Sequence, residues 1–129
     1  MKRNFYSILL FLLASCANNQ NQKPLPVEYG ETIEGKVILL GKINRANLEQ
    51  SEHVSWFKKE YDLYKVNNQW IESVEKYFDD INLKLFMGTW CEDSEREVPP
   101  IFKLLDAVNF DQKKIDIYAM SEEKTTPEN

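Results

Sequence analysis

The chain has 129 residues, enough for one domain, and its hydrophobic fraction of 43% with 12% aromatics can build a real core. Its formal net charge of -5 argues against nucleic-acid binding, which needs a basic surface. We expect most of these charges to form a solvated surface.

The N-terminus resembles a bacterial lipoprotein signal peptide. Met1, Lys2 and Arg3 are followed by a short apolar run from Phe5 to Leu13, and Leu-Ala-Ser-Cys over residues 13–16 resembles a lipobox. The resemblance implies cleavage after residue 15 and lipidation of Cys16, which would anchor the protein on a membrane of the cell envelope. The alternative is an ordinary signal peptide with a chance cysteine. Cleavage would leave a net charge of -7.

Residues 16–30 begin with an Asn/Gln-rich, Pro-containing segment and predict a flexible tether. Residues 31–129 are predicted to form the folded domain. Because lipidation would consume the Cys16 thiol, Cys91 would be the one free thiol, and an internal disulfide would be impossible.

Strand and helix patterns alternate along the domain. The apolar run at residues 36–41 predicts a buried strand, and helical spacing predicts helices over Asn47–Tyr64 and about 67–80. Residues 83–87 predict a second strand, buried on both faces, and residues 114–119 a third. This alternation predicts an α/β fold with parallel strands and flanking helices.

The stretch after the second strand carries the candidate chemistry. Cys91 lies between a strand end and a helix start, where backbone N–H groups stabilise a thiolate. Asp93 or Ser94 is predicted to cap that helix, with Ser94 and Glu97 forming a capping box. Pro99 and Pro100 fall inside the helix and are expected to kink it. Its predicted buried face is Val98, Ile101, Phe102, Leu105 and Val108.

These residues resemble the thioredoxin-like superfamily. The matching features are the apolar strand, Trp90-Cys91-x-x-Ser94, and Pro99 eight residues after the cysteine, within a region of similarity from Lys36 to Asn129. The resemblance implies a thioredoxin-like fold with an extra N-terminal helix. It further implies thiol-disulfide exchange at Cys91, with Trp90 and Ser94 beside it and Pro99 as the helix kink.

The sequence departs from the family pattern in three ways. Ser94 replaces the resolving cysteine, Leu85 stands where the family has a buried acid, and no proline after Pro100 fits the family's cis-proline loop. The family's C-terminal strands are also missing, so we expect a truncated chain whose exposed strand edge favours self-association. Ser94 cannot resolve a mixed disulfide, so an external thiol would be needed.

The surroundings of Cys91 leave alternatives open. Negative charge on Glu92, Asp93, Glu95 and Glu97 disfavours a thiolate, although these acids also complement a helix N-terminus. Cys91 is either redox-active or a relic in a non-catalytic domain that binds or scaffolds, and Trp90 is either a lid over the thiol or a core residue. No metal site and no cofactor are predicted. The expected partners are the membrane and protein or small-molecule thiols and disulfides.

Overall fold

The computed structural model describes residues 22–127. The predicted signal peptide, Cys16 and most of the predicted tether therefore lie outside the described residues. Four strands and four α-helices are present in this part of the chain: β1 (Glu28–Glu31), β2 (Val37–Ile43), α1 (Arg45–Gln50), α2 (Trp56–Leu63), α3 (Asn68–Val74), β3 (Leu83–Met87), α4 (Glu92–Ala107) and β4 (Ile115–Ala119). Single turns of 3₁₀ helix lie at Glu52–Val54, Glu75–Tyr77 and Gln112–Lys114.

The strands form one mixed sheet in the order β1-β2-β4-β3. β3 and β4 are parallel, whereas β2 is antiparallel to both β1 and β4. The α/β prediction is confirmed, but the prediction of an all-parallel sheet is wrong. A connection through a single helix favours parallel strands, and one helix joins β3 to β4. The link from β2 to β3 is long and contains three helices, so it permits either strand direction.

The hairpin of β1 and β2 is absent from the sequence prediction. Glu28 pairs with Leu40 and Glu31 with Val37, and the connecting turn is closed by hydrogen bonds from the Thr32 N–H to the Lys36 carbonyl and from the Gly35 N–H to the Thr32 carbonyl. Gly35 has a φ of 83°, which only glycine adopts without strain. Residues 28–30 fall within the predicted tether, which was assigned from the Asn/Gln-rich, Pro-containing composition of the residues before them.

The predicted helix over Asn47–Tyr64 is interrupted. Asn44 caps α1 through a reciprocal pair of bonds with Asn47. α1 ends at Gln50, and its C-cap Ser51 has an extended backbone that precedes the 3₁₀ turn. Asn44 and Asn47 thus form a capping box that begins α1 before the predicted start at Asn47. The next predicted helix, over about 67–80, is α-helical only from Asn68 to Val74, and its N-cap is Asn67.

The helices cover one face of the sheet. The main core joins Leu39, Ile43, Met87, Ile117 and Ala119 of the strands to Phe57, Val98 and Phe102 of α2 and α4. A smaller cluster joins Ile71 to Leu105, Val108 and Phe110.

The other face of β3 and β4 is open. Lys84 and Phe86 are exposed and lie beside Asp116 and Tyr118 in the parallel register. The prediction that β3 is buried on both faces is therefore wrong. Its odd-numbered residues face the helices, and its even-numbered residues face away from them.

Candidate functional site

Cys91 lies four residues beyond β3 and forms the N-cap of α4. Its backbone is extended (φ -87°, ψ 123°), its N–H bonds the Gly88 carbonyl at 3.1 Å, and its carbonyl accepts the Glu95 N–H at 3.0 Å. The prediction of Asp93 or Ser94 as the cap is wrong, because helical geometry begins directly after the cysteine, at Glu92. The Cys91 side chain makes no capping hydrogen bond, and it is partly exposed.

Thr89 ties the cysteine turn to β2. Its side chain is only 1% exposed, and its hydroxyl accepts a hydrogen bond from the Leu39 N–H at 3.1 Å. Leu39 belongs to β2, 50 positions earlier in the chain, so this bond links the turn to the centre of the sheet.

Trp90 ties the same turn to Met120, the residue that follows β4. Its indole N–H donates to the Met120 carbonyl at 2.9 Å, and the Met120 N–H donates to the Met87 carbonyl at 2.8 Å. The ring lies over Gly88, where an added Cβ would come 2.5 Å from the indole nitrogen. The absence of a side chain at Gly88 thus makes room for Trp90. Trp90 is half-buried and packs on its own turn.

Ser94 closes the turn from the helix side. Its hydroxyl accepts a hydrogen bond from the Gly88 N–H at 3.2 Å, so this side chain reaches back to the strand end and does not form the predicted capping box with Glu97. Ser94 and Cys91 are brought together on the first turn of α4. The predicted site residues Trp90, Cys91 and Ser94 therefore share one turn.

The acids around Cys91 are partly neutralised. Arg96 contacts Asp93 at 2.8 Å and Glu97 at 2.8 Å, and hydrogen bonding to these carboxylates raises the pKa of its guanidinium. Glu92, Asp93 and Glu95 lie in the first turn of α4, where their charges complement the helix dipole.

Two further predicted positions lie beneath the site. Leu85 faces the helices and packs against the main core, where it supplies no proton acceptor. Pro99 lies inside α4 and is almost fully buried, and Pro100 follows it within the helix. The predicted buried face of α4 is confirmed except at Ile101, which is 38% exposed.

Thr89 and Met120 were not predicted as site residues, and Gly88 was not predicted to make room for the Trp90 ring. A small residue and a hydroxyl residue between a strand and a cysteine are a recognisable signal for a tight turn. The contribution of Met120 is a backbone carbonyl, which the residue type does not reveal.

Within residues 22–127, no group of three or more His, Cys, Asp or Glu side chains is arranged to hold a metal ion. In the same range, no helix is long and apolar enough to cross a membrane. No family model, curated protein or solved structure matches this chain.

Proposed function

We propose that the protein exchanges thiols and disulfides through Cys91 as a single nucleophile. The observation that carries this proposal is the position of Cys91, a partly exposed thiol at the N-cap of a sixteen-residue helix. A thiolate at this position receives the partial positive charge of the helix N-terminus. The bonds of Thr89, Trp90 and Ser94 hold the turn in place, which lowers the entropic cost of positioning the sulfur.

Cys91 takes part in two exchange steps. The Cys91 thiolate attacks one sulfur of a substrate disulfide, the S–S bond breaks, and the second substrate sulfur leaves as a thiolate that takes up a proton. The thiolate of an external thiol such as glutathione then attacks the substrate sulfur of the mixed disulfide, which forms a substrate–glutathione disulfide and releases Cys91 as a thiolate. Net reduction of the substrate is completed when a second glutathione cleaves that disulfide and leaves as oxidised glutathione. Ser94 has no sulfur with which to release Cys91, so turnover depends on the external thiol concentration.

The test is insulin reduction by the full chain with glutathione as the external thiol. We expect catalysis by the wild type and by Cys16→Ser, which removes the other cysteine, and loss of catalysis in Cys91→Ser. Circular dichroism checks that all three proteins are folded. Equal rates from wild type and Cys91→Ser would refute the proposal.

A second candidate is a binding or scaffold module without turnover. The observation that favours it is the open sheet face, where the Phe86 and Tyr118 rings stack with centroids 5.2 Å apart and Phe86 is 57% exposed. Exposed aromatic residues are enriched at protein interfaces. Insulin reduction separates the candidates, because a binding module would show no dependence on Cys91.

We further propose that the protein belongs to the thioredoxin-like superfamily and is anchored in the bacterial cell envelope by lipid on Cys16. The Trp90-Cys91-x-x-Ser94 motif between a strand and a helix supports the first proposal, and the lipobox-like residues 13–16 support the second. Metabolic labelling with radioactive palmitate tests the anchor. Label on the wild type but not on Cys16→Ser is expected, whereas equal labelling would refute it.

A further inference from the structure

β3 is an edge strand in the described part of the chain. It is the last strand in the order β1-β2-β4-β3, so its backbone pairs with β4 on one side only. Edge strands commonly carry proline, a bulge or several charges that block pairing with another chain. The sequence Leu-Lys-Leu-Phe-Met of β3 has a single charge, Lys84, and no proline.

The opposite edge of the sheet differs. β1 has the sequence Glu-Tyr-Gly-Glu, with two acids in four residues. These charges discourage association along that edge. Of the two edges, β3 is therefore the one suited to pairing.

We propose that two copies of this chain pair along β3, antiparallel and related by a two-fold axis through Leu85. In this register Lys84 lies opposite Phe86 of the second copy, and Leu83 lies opposite its Met87. The same contacts occur twice, as a two-fold interface requires. This inference does not depend on the proposed function.

Side-chain chemistry favours this register over the one centred on Lys84. Directly opposed residues of an antiparallel pair have Cβ atoms about 4.5–5.5 Å apart. A shift that centres the axis on Lys84 would oppose two ammonium groups, which is unfavourable. Centring it on Leu85 opposes an ammonium and an aromatic ring, which attract each other.

The neighbouring charges permit this contact. Asp116, which lies beside Lys84 on the open face, is bound to Lys42 at 2.7 Å, so Lys84 is not held in that ion pair. The open faces of both copies would lie on the same side of the joined sheet, which would place both Phe86–Tyr118 stacks in one continuous surface.

The pairing leaves the two thiols apart. Met87 of one copy lies opposite Leu83 of the other, so the two strand ends that lead to Cys91 are separated by about 14 Å along the strands. Dimer formation and thiol exchange can therefore be tested separately.

The first test is sedimentation equilibrium of the full chain in a density-matched non-ionic detergent. We expect the wild type to be a dimer. Phe86→Lys should associate at least about tenfold more weakly, because it places a lysine opposite Lys84 of the other copy at both symmetry-related contacts. The double variant Lys84→Glu/Phe86→Lys restores opposite charges and should associate as the wild type does. Tyr77→Lys is the matched control, because Tyr77 is 67% exposed and belongs to the 3₁₀ turn Glu75–Tyr77, outside the sheet. It should stay dimeric.

A monomeric wild type, a Phe86→Lys protein that associates normally, or a double variant that stays monomeric would each overturn the proposal. Equal weakening by Tyr77→Lys would overturn it too, because the effect would then be one of surface charge in general.

The second test measures the register of the two strands directly, and its result does not depend on the unfolding of any variant. Chains with Lys84→Cys and chains with Phe86→Cys, both also carrying Cys16→Ser and Cys91→Ser, are mixed and oxidised. We expect mixed disulfide dimers to form faster than same-variant dimers, because identical positions lie on a diagonal about 7–8 Å apart, beyond easy disulfide reach. Equal rates would overturn the proposed register.

Discussion

At the scale of single residues, Gly88 determines whether Trp90 can cover its turn. We expect Gly88→Ala to displace the indole ring, since the new Cβ would lie 2.5 Å from its nitrogen, and to break the bond to Met120. Overpacking of this kind costs about 1–3 kcal/mol, measurable by urea denaturation. In a Trp90→Phe background the smaller ring leaves more space, so the same substitution should cost less. An equal cost in both backgrounds would show that the ring is not the obstacle.

Thr89 offers a second residue-scale prediction. Thr89→Val keeps the shape of the side chain but leaves the buried Leu39 N–H without its acceptor, at a cost of about 1–3 kcal/mol in the free energy of unfolding. Thr89→Ser is the matched control, because it retains the hydroxyl. If Val and Ser substitutions are equally stable in urea, the bond to Leu39 contributes nothing.

At the scale of elements, Arg45 joins α1 to α4. Its guanidinium binds Asp106 and Glu49, each at 2.6 Å, and lies over the rings of Tyr61 and Phe102. Desolvation lowers the pKa of this group, but the hydrogen bonds to both carboxylates outweigh it and raise the pKa further above its usual range. Asp106 also accepts the Tyr61 hydroxyl at 2.6 Å, so three helices meet at one carboxylate.

Because of this network, we expect the free energy of unfolding to fall at alkaline pH. Burial, then the bond to Asp106, raises the pKa of Tyr61 above 10.0. A raised pKa in the folded state means that the neutral tyrosine stabilises the fold below about pH 10, and that this contribution is lost as pH rises through the folded pKa. Urea denaturation from pH 7 to 11 should therefore show a smaller alkaline loss for Tyr61→Phe than for the wild type. Identical slopes would contradict it.

The antiparallel pair β2–β4 gives a prediction at acid pH. Lys42 lies next to Asp116, and their hydrogen bond lowers the pKa of the carboxyl below its ordinary 3.8. Because the folded pKa is depressed, any stabilisation is present above the unfolded pKa and is lost as pH falls through the folded one. An NMR titration should give a higher pKa for Asp116 in Lys42→Met than in the wild type. No change would rule out the pair in solution.

The sequence predicts elements better than it predicts their ends and directions. The apolar runs at β2, β3 and β4 and the stripe on α4 follow from hydrophobic periodicity, which burial imposes directly. The break at Ser51 depends on a side chain capping a 3₁₀ turn, and the direction of β2 depends on pairing with β4, about 75 positions away. Neither the break nor the strand direction can be recognised from the hydrophobic pattern of a short sequence segment. At the site, the residue types Trp90, Cys91 and Ser94 were informative, whereas the partners Leu39 and Met120 contribute backbone groups.

At the scale of the whole molecule, stability should be distributed unevenly. The main core joins β2, β3 and β4 to α2 and α4 through side chains that are almost completely buried. By contrast, α3 buries only Ile71, and its neighbours Trp70 and Tyr77 are 43% and 67% exposed. Segments with few buried apolar contacts open at lower free energy than the core does.

We therefore expect the amides of residues 68–77 to show the fastest native-state hydrogen exchange among the helices and central strands. The amides of β2 and β4 should exchange only on global unfolding, because both strands pair on two sides and lie under α2 and α4. Ile71→Ala should accelerate exchange in residues 68–77 without a comparable change in β4. Phe102→Ala, a substitution in the main core, should accelerate both. Equal protection of residues 68–77 and β4 in the wild type would mean that the smaller cluster unfolds only with the main core.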